Sequence, residues 1–566
     1  FRRQIDRRND RFRRKHGDGA KVNVLRLGGD KMFTDFPGHA LFFPFESFSG
    51  IPAISFEFVR QKKQVPFEDW NLSMWADFRE YLDYHFTGFI RELHLVSNEA
   101  NPIAPAGYVG GHAPSPWNGL DYSLVKNAIQ WIEAYDIGGS NEIIRGLNPS
   151  ILRTQTFFPP TDYRRCEWFA GYYLAHQNKA LILWPEQNDQ SVFKTEGKTG
   201  TDGIAESVRL SADYIKRIIE RPSRELLSGT LKVSPIAIYY SQPSVRVNWA
   251  IDSECHGATW PARSSSLDNK SGSYHQTLVA WFKLLEDIGH QYIVIDNEQL
   301  FNGRLADEKI RTLILPKTIA LSAAEAKAMT AFVESGGTLI ADFWTGLFDE
   351  NGKGLADDIM PANALFGIRR DSAKGWFDRS ELCELNGEIA VSNTAAFDEI
   401  TKIHQAAKKY QGMPVAENGL SALSDATAQT ADGAAVWTSR RLGRGRTVFM
   451  TVSVLPYVYM SRRLGALGES MRELVRKELA ADGIEPMCET FVGAAPSPIT
   501  ERLIYATPGG GYVLAITKNP TRHGTITGLG DIPGIPDQPV ELTVRFNQPV
   551  RNIIDLATGK PVAAGA

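Results

Sequence analysis

Short apolar runs alternate with longer amphipathic stretches through roughly the first 215 residues. Apolar residues recur at helical spacing in residues 75–97, and helices are also predicted for 122–131, from Ser140 onward, and for 163–176. Compact apolar runs predict strands at 22–27, 106–109, 132–137, 151–158 and 180–184. Strands that alternate with helices through short connections are typical of a parallel sheet or a (β/α) barrel.

This region holds about five strand–helix units, whereas a complete barrel needs about eight. If the sheet is a barrel, its first three units are therefore not in this chain. The chain begins at Phe1 and has no apolar signal region. We expect it to be a processed product or a fragment, so an export signal would already be gone, and the compartment is unknown but compatible with a periplasmic or secreted protein.

The middle of the chain repeats the alternation more clearly. Buried strands are predicted at 236–240, 292–295, 312–315, 338–342 and 447–450, with a helix at 274–288. Ser322 and Glu325 form a capping box at the start of another helix, which ends at Gly336 and Gly337. This order predicts a doubly wound, flavodoxin-like α/β domain.

The last 80 or so residues change to short strands, at 512–517 and 541–546, separated by turns rich in Gly and Pro. We therefore predict an α/β chain: the C-terminal part of a (β/α)8 TIM barrel, a flavodoxin-like domain and a small C-terminal β-sandwich. The predicted boundaries are 1–215 for the barrel portion (strands 4–8), 216–231 for a linker helix, 232–482 for the flavodoxin-like domain and 483–566 for the sandwich.

Composition and charge narrow the classes of function. Among 566 residues the net charge of -3 gives no general attraction to nucleic acid or to anionic lipid, and no apolar stretch is long enough for a membrane span. The four cysteines are scattered without paired spacing, so neither a zinc ribbon nor a disulfide framework is predicted. No glycine-rich phosphate loop follows a strand of the flavodoxin-like domain, which favours an assembly role over a cofactor role.

Residues 236–241, 274–295 and 313–316 resemble the trimerisation domain of glycoside hydrolase family 42 β-galactosidases. The run 331–339, AFVESGGTL, is the most specific piece of this resemblance, and residues 554–560 resemble the C-terminal β-domain of the same family. Residues 75–79, 135–145 and 147–149 resemble the second half of the catalytic barrel in a divergent branch. The resemblance implies a carbohydrate substrate, a homotrimer, and neither a cofactor nor a metal.

The resemblance also implies two barrel carboxyls, an acid after strand four and a nucleophile after strand seven. The segment after the predicted fourth strand offers Asp30 as the acid, although a helix cap or an ion pair with Lys31 is the alternative. The predicted seventh strand carries no carboxylate. Glu142, just past predicted strand six, is the candidate to replace the missing nucleophile; the alternative is that it is an acidic residue in the first turn of a helix. Glu186, after strand eight, is a third candidate.

Sugars present apolar faces that stack on aromatic rings while polar groups hold their hydroxyls. Candidates for substrate binding lie at or after predicted strand ends, where core packing is the alternative for each: Trp117, Tyr135, Asp136, Arg145 and Trp184. The sequence thus predicts a β-galactosidase-like glycoside hydrolase that acts on β-galactosides or related oligo- and polysaccharides. The alternative is a carbohydrate-binding or scaffold protein that has lost its catalytic carboxylates.

Overall fold

The structure is a computed structural model of the chain. It describes residues 69–111, 113–114, 116, 119–134, 139–157, 163–183, 209, 212–213, 216, 222–252, 273–370, 417, 420–431, 434–455, 457, 466–497, 500–518, 541–556 and 558–562. The strand predicted at 22–27 lies outside these residues. Among them, no helix is both long and apolar enough to cross a membrane.

The first described element is the long helix α1 (Ser73–Ala100), close to its predicted bounds. Its buried face includes Trp75, Phe86 and Ile90, at the spacing that brings residues to one side of a helix. The Trp75 ring stacks on Trp249 of helix α6 (Gln242–Asp252), with ring centroids 4.7 Å apart. The helix therefore joins the first domain to the second.

Four strands then form a parallel sheet in sequential order: β1 (Gly107–Gly111), β2 (Trp131–Ala134), β3 (Leu152–Phe157) and β4 (Ala180–Leu183). Between them lie the helices α2 (Tyr122–Val125), α3 (Ser140–Leu147) and α4 (Tyr163–Ala175). The helix predicted at 122–131 is much shorter, since it ends at Val125, and Trp131 already belongs to β2. Parallel strands in sequential order are what a barrel segment requires.

A short helix and strand, α5 (Pro222–Ser228) and β5 (Thr230–Leu231), precede the second domain. Its parallel strands lie in the order β7 (Ile293–Ile295), β6 (Ile236–Tyr239), β8 (Thr312–Leu315), β9 (Thr338–Ala341) and β14 (Gly445–Met450). This is the flavodoxin-like order, in which the first strand lies between the second and third. Every residue of β6, β7, β8 and β9 is buried, as expected of a sheet covered on both faces.

Helices α7 (Ser273–Asp287), α8 (Asn297–Phe301), α9 (Arg304–Asp307), α10 (Ala323–Glu334), α11 (Pro361–Phe366) and, after β14, α12 (Ala466–Ala481) complete this domain. Helix α10 begins with the predicted capping box, in which Ser322 and Glu325 bond reciprocally to each other's backbone N–H. The capping-box prediction is therefore confirmed.

Strands that the sequence did not predict extend and flank this sheet: β10 (Ile368–Arg370), β11 (Leu420–Ala422), β12 (Ala426–Ala431) and β13 (Ala434–Leu442). β12 and β13 add to β14 in antiparallel fashion. The turn from β13 to β14 needs Gly443, whose φ is +59° and whose added Cβ would lie 2.7 Å from the Cα of Glu334.

The C-terminal residues form two three-stranded antiparallel sheets. One contains β16 (Ala495–Pro496), β15 (Cys488–Val492) and β19 (Thr543–Phe546). The other contains β18 (Tyr512–Lys518), β17 (Thr500–Ala506) and β5, so the segment before the second domain supplies an edge strand to the third. A linker helix alone does not describe this segment.

The first and second domains pack through helix α3. Ile143 and Ile144 belong to the same buried core as Tyr292 and Val294 of the second domain. Gly146 allows this approach, because a Cβ there would lie 2.3 Å from the backbone nitrogen of Val294.

Candidate functional site

The parallel sheet of the first domain carries one carboxylate among its four described strands, Glu133 of β2. Its neighbour Ile132 is fully buried in the core that contains Ile143 and Ile144 of helix α3. Successive side chains of a strand point to opposite faces, so Glu133 points away from α3. In a barrel, this is the inner face, and Glu133 lies one residue before the carboxyl end of its strand.

The surroundings of Glu133 are unusual for a carboxylate. The side chain is 2% exposed, and the hydroxyl of Thr156 on β3 donates a hydrogen bond to its Oε1. Burial raises the pKa of Glu133, and the backbone N–H of Gly110 on β1 offsets part of that rise. Oε2 has no hydrogen-bond partner among the described residues. A buried carboxyl with one free oxygen and a raised pKa is suited to donate a proton.

Strand β3 supplies hydroxyls and amides where the resemblance implied a carboxylate. Thr156 bonds Glu133, and the Thr154 hydroxyl donates to the carbonyl of Ile132 at 3.3 Å. Gln155, on the opposite face, accepts from the amide of Asn141 at 2.7 Å. None of the six residues of β3 can act as an anionic nucleophile.

Glu142, the predicted replacement nucleophile, lies on the helix side of the sheet. It is in the first turn of α3, which was its alternative interpretation, and is 2% exposed. Its Oε1 lies 3.0 Å from Nδ1 of His176, and Nε2 of the same ring lies 3.2 Å from Oε2 of Glu501 in the C-terminal domain. The structure therefore places Glu142 in a buried interdomain ion-pair cluster and not beside Glu133.

Arg145, predicted to bind substrate, lies in the same junction. It is 9% exposed, and its Nη2 lies 3.4 Å from Oε1 of Gln291 in the second domain. Gln291 in turn donates to Glu501 at 2.9 Å. Helix α3 directs both Glu142 and Arg145 toward the second and third domains, and a role of Arg145 in substrate binding stays a prediction.

The remaining predicted site residues lie outside the described residues: Asp30, Trp117, Tyr135, Asp136, Trp184 and Glu186. Tyr135 and Asp136 follow directly on β2, two and three residues after Glu133. Across the described part of the chain, no group of three or more His, Cys, Asp or Glu side chains could hold a metal ion.

Sequence comparison identifies the second domain. Residues 236–467 match the β-galactosidase trimerisation domain family. The chain is also 30% identical over 103 residues to β-galactosidase BglY of Alicyclobacillus acidocaldarius, a match that covers 18% of this chain and 13% of that enzyme.

Solved structures show a wider similarity. The β-galactosidase of Rahnella sp. R3 aligns with a TM-score of 0.54 at 15% identity, covering 79% of this chain and 63% of that one. The β-galactosidase of Bacillus circulans sp. alkalophilus aligns with a TM-score of 0.50 at 14% identity, covering 79% and 67%. A catalytic mutant of Gan42B, a GH42 β-galactosidase of G. stearothermophilus, gives 0.50 at 16% identity, covering 80% and 68%. Residues 236–467 are thus a trimerisation domain of the β-galactosidase type, in a chain whose fold is similar to that of glycoside hydrolase family 42.

Proposed function

We propose that this protein is a glycoside hydrolase that acts on β-galactosides or related oligo- and polysaccharides, with Glu133 as a catalytic carboxyl. The observation that carries the proposal is the position of Glu133 near the carboxyl end of a parallel strand, where active sites of (β/α) barrels are built. The family of the adjoining trimerisation domain supports the reaction class.

Glu133 fits the role of general acid. Its raised pKa keeps a larger fraction of the carboxyl protonated near neutral pH, and its Oε2 makes no hydrogen bond to the described residues. The Thr156 hydroxyl holds the other oxygen and fixes the rotation of the carboxyl group. Proton donation to the leaving oxygen would lower the barrier to formation of the oxocarbenium-like transition state.

A second carboxylate has to complete the chemistry. Asp30 and Glu186 remain our candidates for it. A separation from Glu133 of about 5 to 5.5 Å would give a retaining enzyme, and about 6.5 to 9.5 Å would leave room for a water and give an inverting one. Trp117, Tyr135, Asp136 and Trp184 remain the candidates for sugar contacts. We further propose that the active form is a homotrimer, assembled through the domain at residues 236–467.

The alternative function is carbohydrate binding without hydrolysis. It is favoured by one observation, the absence of any carboxylate from β3, where Thr154 and Thr156 face the side on which a nucleophile is needed. A neutral hydroxyl cannot stabilise an oxocarbenium ion as a carboxylate does.

Turnover of a panel of aryl β-glycosides, headed by aryl β-galactosides, separates the two functions. Each substrate is assayed with the wild-type chain, with Glu133→Gln and with the matched variant Glu142→Gln. Loss of general acid catalysis costs typically about 10² to 10⁴ in rate, so we expect kcat of Glu133→Gln to fall by at least about a hundredfold. The fall should be smaller on aryl groups that leave readily without protonation, which is a dependence that misfolding would not produce.

Glu142→Gln should lower thermal stability and leave the dependence on the leaving group unchanged, because Glu142 bonds His176 and not the inner face. Wild-type turnover that Glu133→Gln does not reduce would refute the role of Glu133. Saturable sugar binding without turnover on any substrate would refute hydrolysis and support the alternative.

A further inference from the structure

A cavity of about 420 Å³ lies between the first and second domains, away from the inner face of the parallel sheet. Its walls come from α1, from the segment around α2, from the chain after β6, and from the start of α8. The volume lies within the range of about 300 to 1,000 Å³ that is usual for small-molecule sites. The cavity also lies at the carboxyl end of β6, next to the point where the strand order of the flavodoxin-like sheet reverses. Ligands of open α/β sheets bind at this reversal point.

The charged groups around this cavity already compensate one another. Arg246 lies 2.7 Å from Asp83, 3.7 Å from Asp121 and 3.9 Å from Glu80, measured between guanidinium nitrogens and carboxylate oxygens. Glu298, on the opposite wall, lies 2.9 Å from the ammonium group of Lys126. Arg246 and Glu298 are therefore already paired, so neither of them offers an uncompensated charge to a ligand.

The polar groups that remain are hydroxyls and amides. The amide of Gln242 donates a hydrogen bond to Asp83 at 3.3 Å and accepts one from the hydroxyl of Tyr240. The amide of Asn127 donates a hydrogen bond to Glu298 at 3.4 Å. The Ser123 hydroxyl donates to Asp121 at 2.5 Å. Each of these groups keeps a lone pair or a proton for a further bond. A ligand that both donates and accepts hydrogen bonds is the best match to such a wall.

One buried group on the wall lacks a partner. Thr87 is 4% exposed and lines the cavity, and its Oγ1 makes no hydrogen bond to the described residues. A threonine within a helix can bond the carbonyl one turn earlier, and the Thr87 hydroxyl does not make this bond. Leaving a buried polar atom unbonded is costly, and a bound hydroxyl would remove the cost.

We infer that this cavity is a binding site for a small, neutral polyhydroxylated ligand of the mono- or disaccharide class, separate from the inner face of the barrel sheet. The half-buried ring of Tyr84 on the wall supplies an apolar surface for the C–H face of such a ligand. The inference does not depend on hydrolysis by this chain. A protein that only binds sugars could carry the same second site.

Binding of galactose and of lactose to the full chain is measured by calorimetry. Hydrogen exchange of the backbone amides then locates the bound sugar. We expect saturable binding that slows exchange in α1 and in residues 239–243. Thr87→Val removes the hydroxyl without changing the size of the side chain, and should weaken this binding about two- to tenfold. Asn127→Trp places a large ring at the exposed rim of the cavity and should abolish the protection.

Two controls separate this site from the barrel. Thr543→Val, an exposed threonine of β19 far along the chain, should leave binding unchanged. Glu133→Gln should alter turnover while the protection of α1 by sugar persists, so failure of the proposed hydrolysis and failure of this site are distinguishable. The inference is overturned if sugar does not protect the amides of α1 from hydrogen exchange. It is also overturned if this protection is unchanged in both Thr87→Val and Asn127→Trp. Tighter binding of inorganic phosphate than of either sugar also overturns it.

Discussion

The buried contact of His176 with Glu142 and Glu501 makes a specific prediction about pH. Burial of the ring lowers the pKa of His176, but the carboxylates of Glu501 and Glu142 outweigh this and raise it to about 9. The imidazole is therefore charged at neutral pH, between a carboxylate of the first domain and one of the third. Its proton contributes to the attachment of these domains to each other.

The magnitude follows from linkage. The ordinary histidine pKa is 6.5, and a difference of one pKa unit corresponds to about 1.4 kcal/mol, so the rise to about 9 corresponds to about 3 kcal/mol. Since the pKa is higher in the folded state, this stabilisation is fully present below pH 6.5. It decreases as pH rises between 6.5 and about 9, and is absent above that.

His176→Gln tests this reasoning. The amide has no charge and removes the cation between the two buried carboxylates, and loss of one partner of a buried ion pair typically costs about 3 to 5 kcal/mol. The free energy of unfolding is measured by urea denaturation between pH 6 and 10 for both proteins. The wild-type advantage should shrink as pH rises toward 10. His94→Gln is the matched control, because the His94 ring bonds only the carbonyl of Ala128 among the described residues. A wild-type advantage that is the same at pH 6.5 and pH 10 would refute the charged state of His176.

Two further predictions concern local structure. Ser322→Ala removes the side chain that caps α10 and should lower the free energy of unfolding by about 1 kcal/mol, as measured by urea denaturation. Ser335→Ala, at the other end of the helix, is the control and should have a smaller effect. Gly445→Ala should be more severe, because the added Cβ would lie 2.1 Å from the carbonyl oxygen of Gly337 and 2.3 Å from that of Val333. We expect a clear fall in thermal unfolding temperature for it, and Gly509→Ala, whose Cβ would meet nothing within 4 Å, should leave that temperature nearly unchanged.

The sequence predicted the parallel parts of the fold well. Strands β6, β8 and β9 are runs of apolar residues that are buried on both faces, so composition alone locates them. The strands β12 and β13 were missed because their sequences, ATAQTA and AAVWTSRRL, lack a run of large apolar residues. Their stability comes from pairing with β14, a contact between segments that local patterns do not encode.

The surroundings of Glu142 could not be predicted from the sequence. An acidic residue shortly after a predicted strand can belong to the mouth of a barrel or to the first turn of the next helix, and both positions look the same in sequence. The partner of the side chain decides between these positions. His176 lies 34 residues after Glu142 in the chain, and Glu501 lies 325 residues after His176. Such pairings arise only when the three domains pack together.

Glu133, by contrast, could have been found from the sequence. Strands of parallel sheets are usually apolar throughout, because helices or the barrel interior cover both faces. A glutamate between Ile132 and Ala134 therefore breaks the pattern, and its desolvation has to be tolerated for some reason. A stability role would call for a cationic partner, yet among the described residues it bonds only the Thr156 hydroxyl and the Gly110 amide. A buried carboxyl kept without a counter-charge is better explained by proton transfer than by folding, which is why Glu133 is the first residue to substitute.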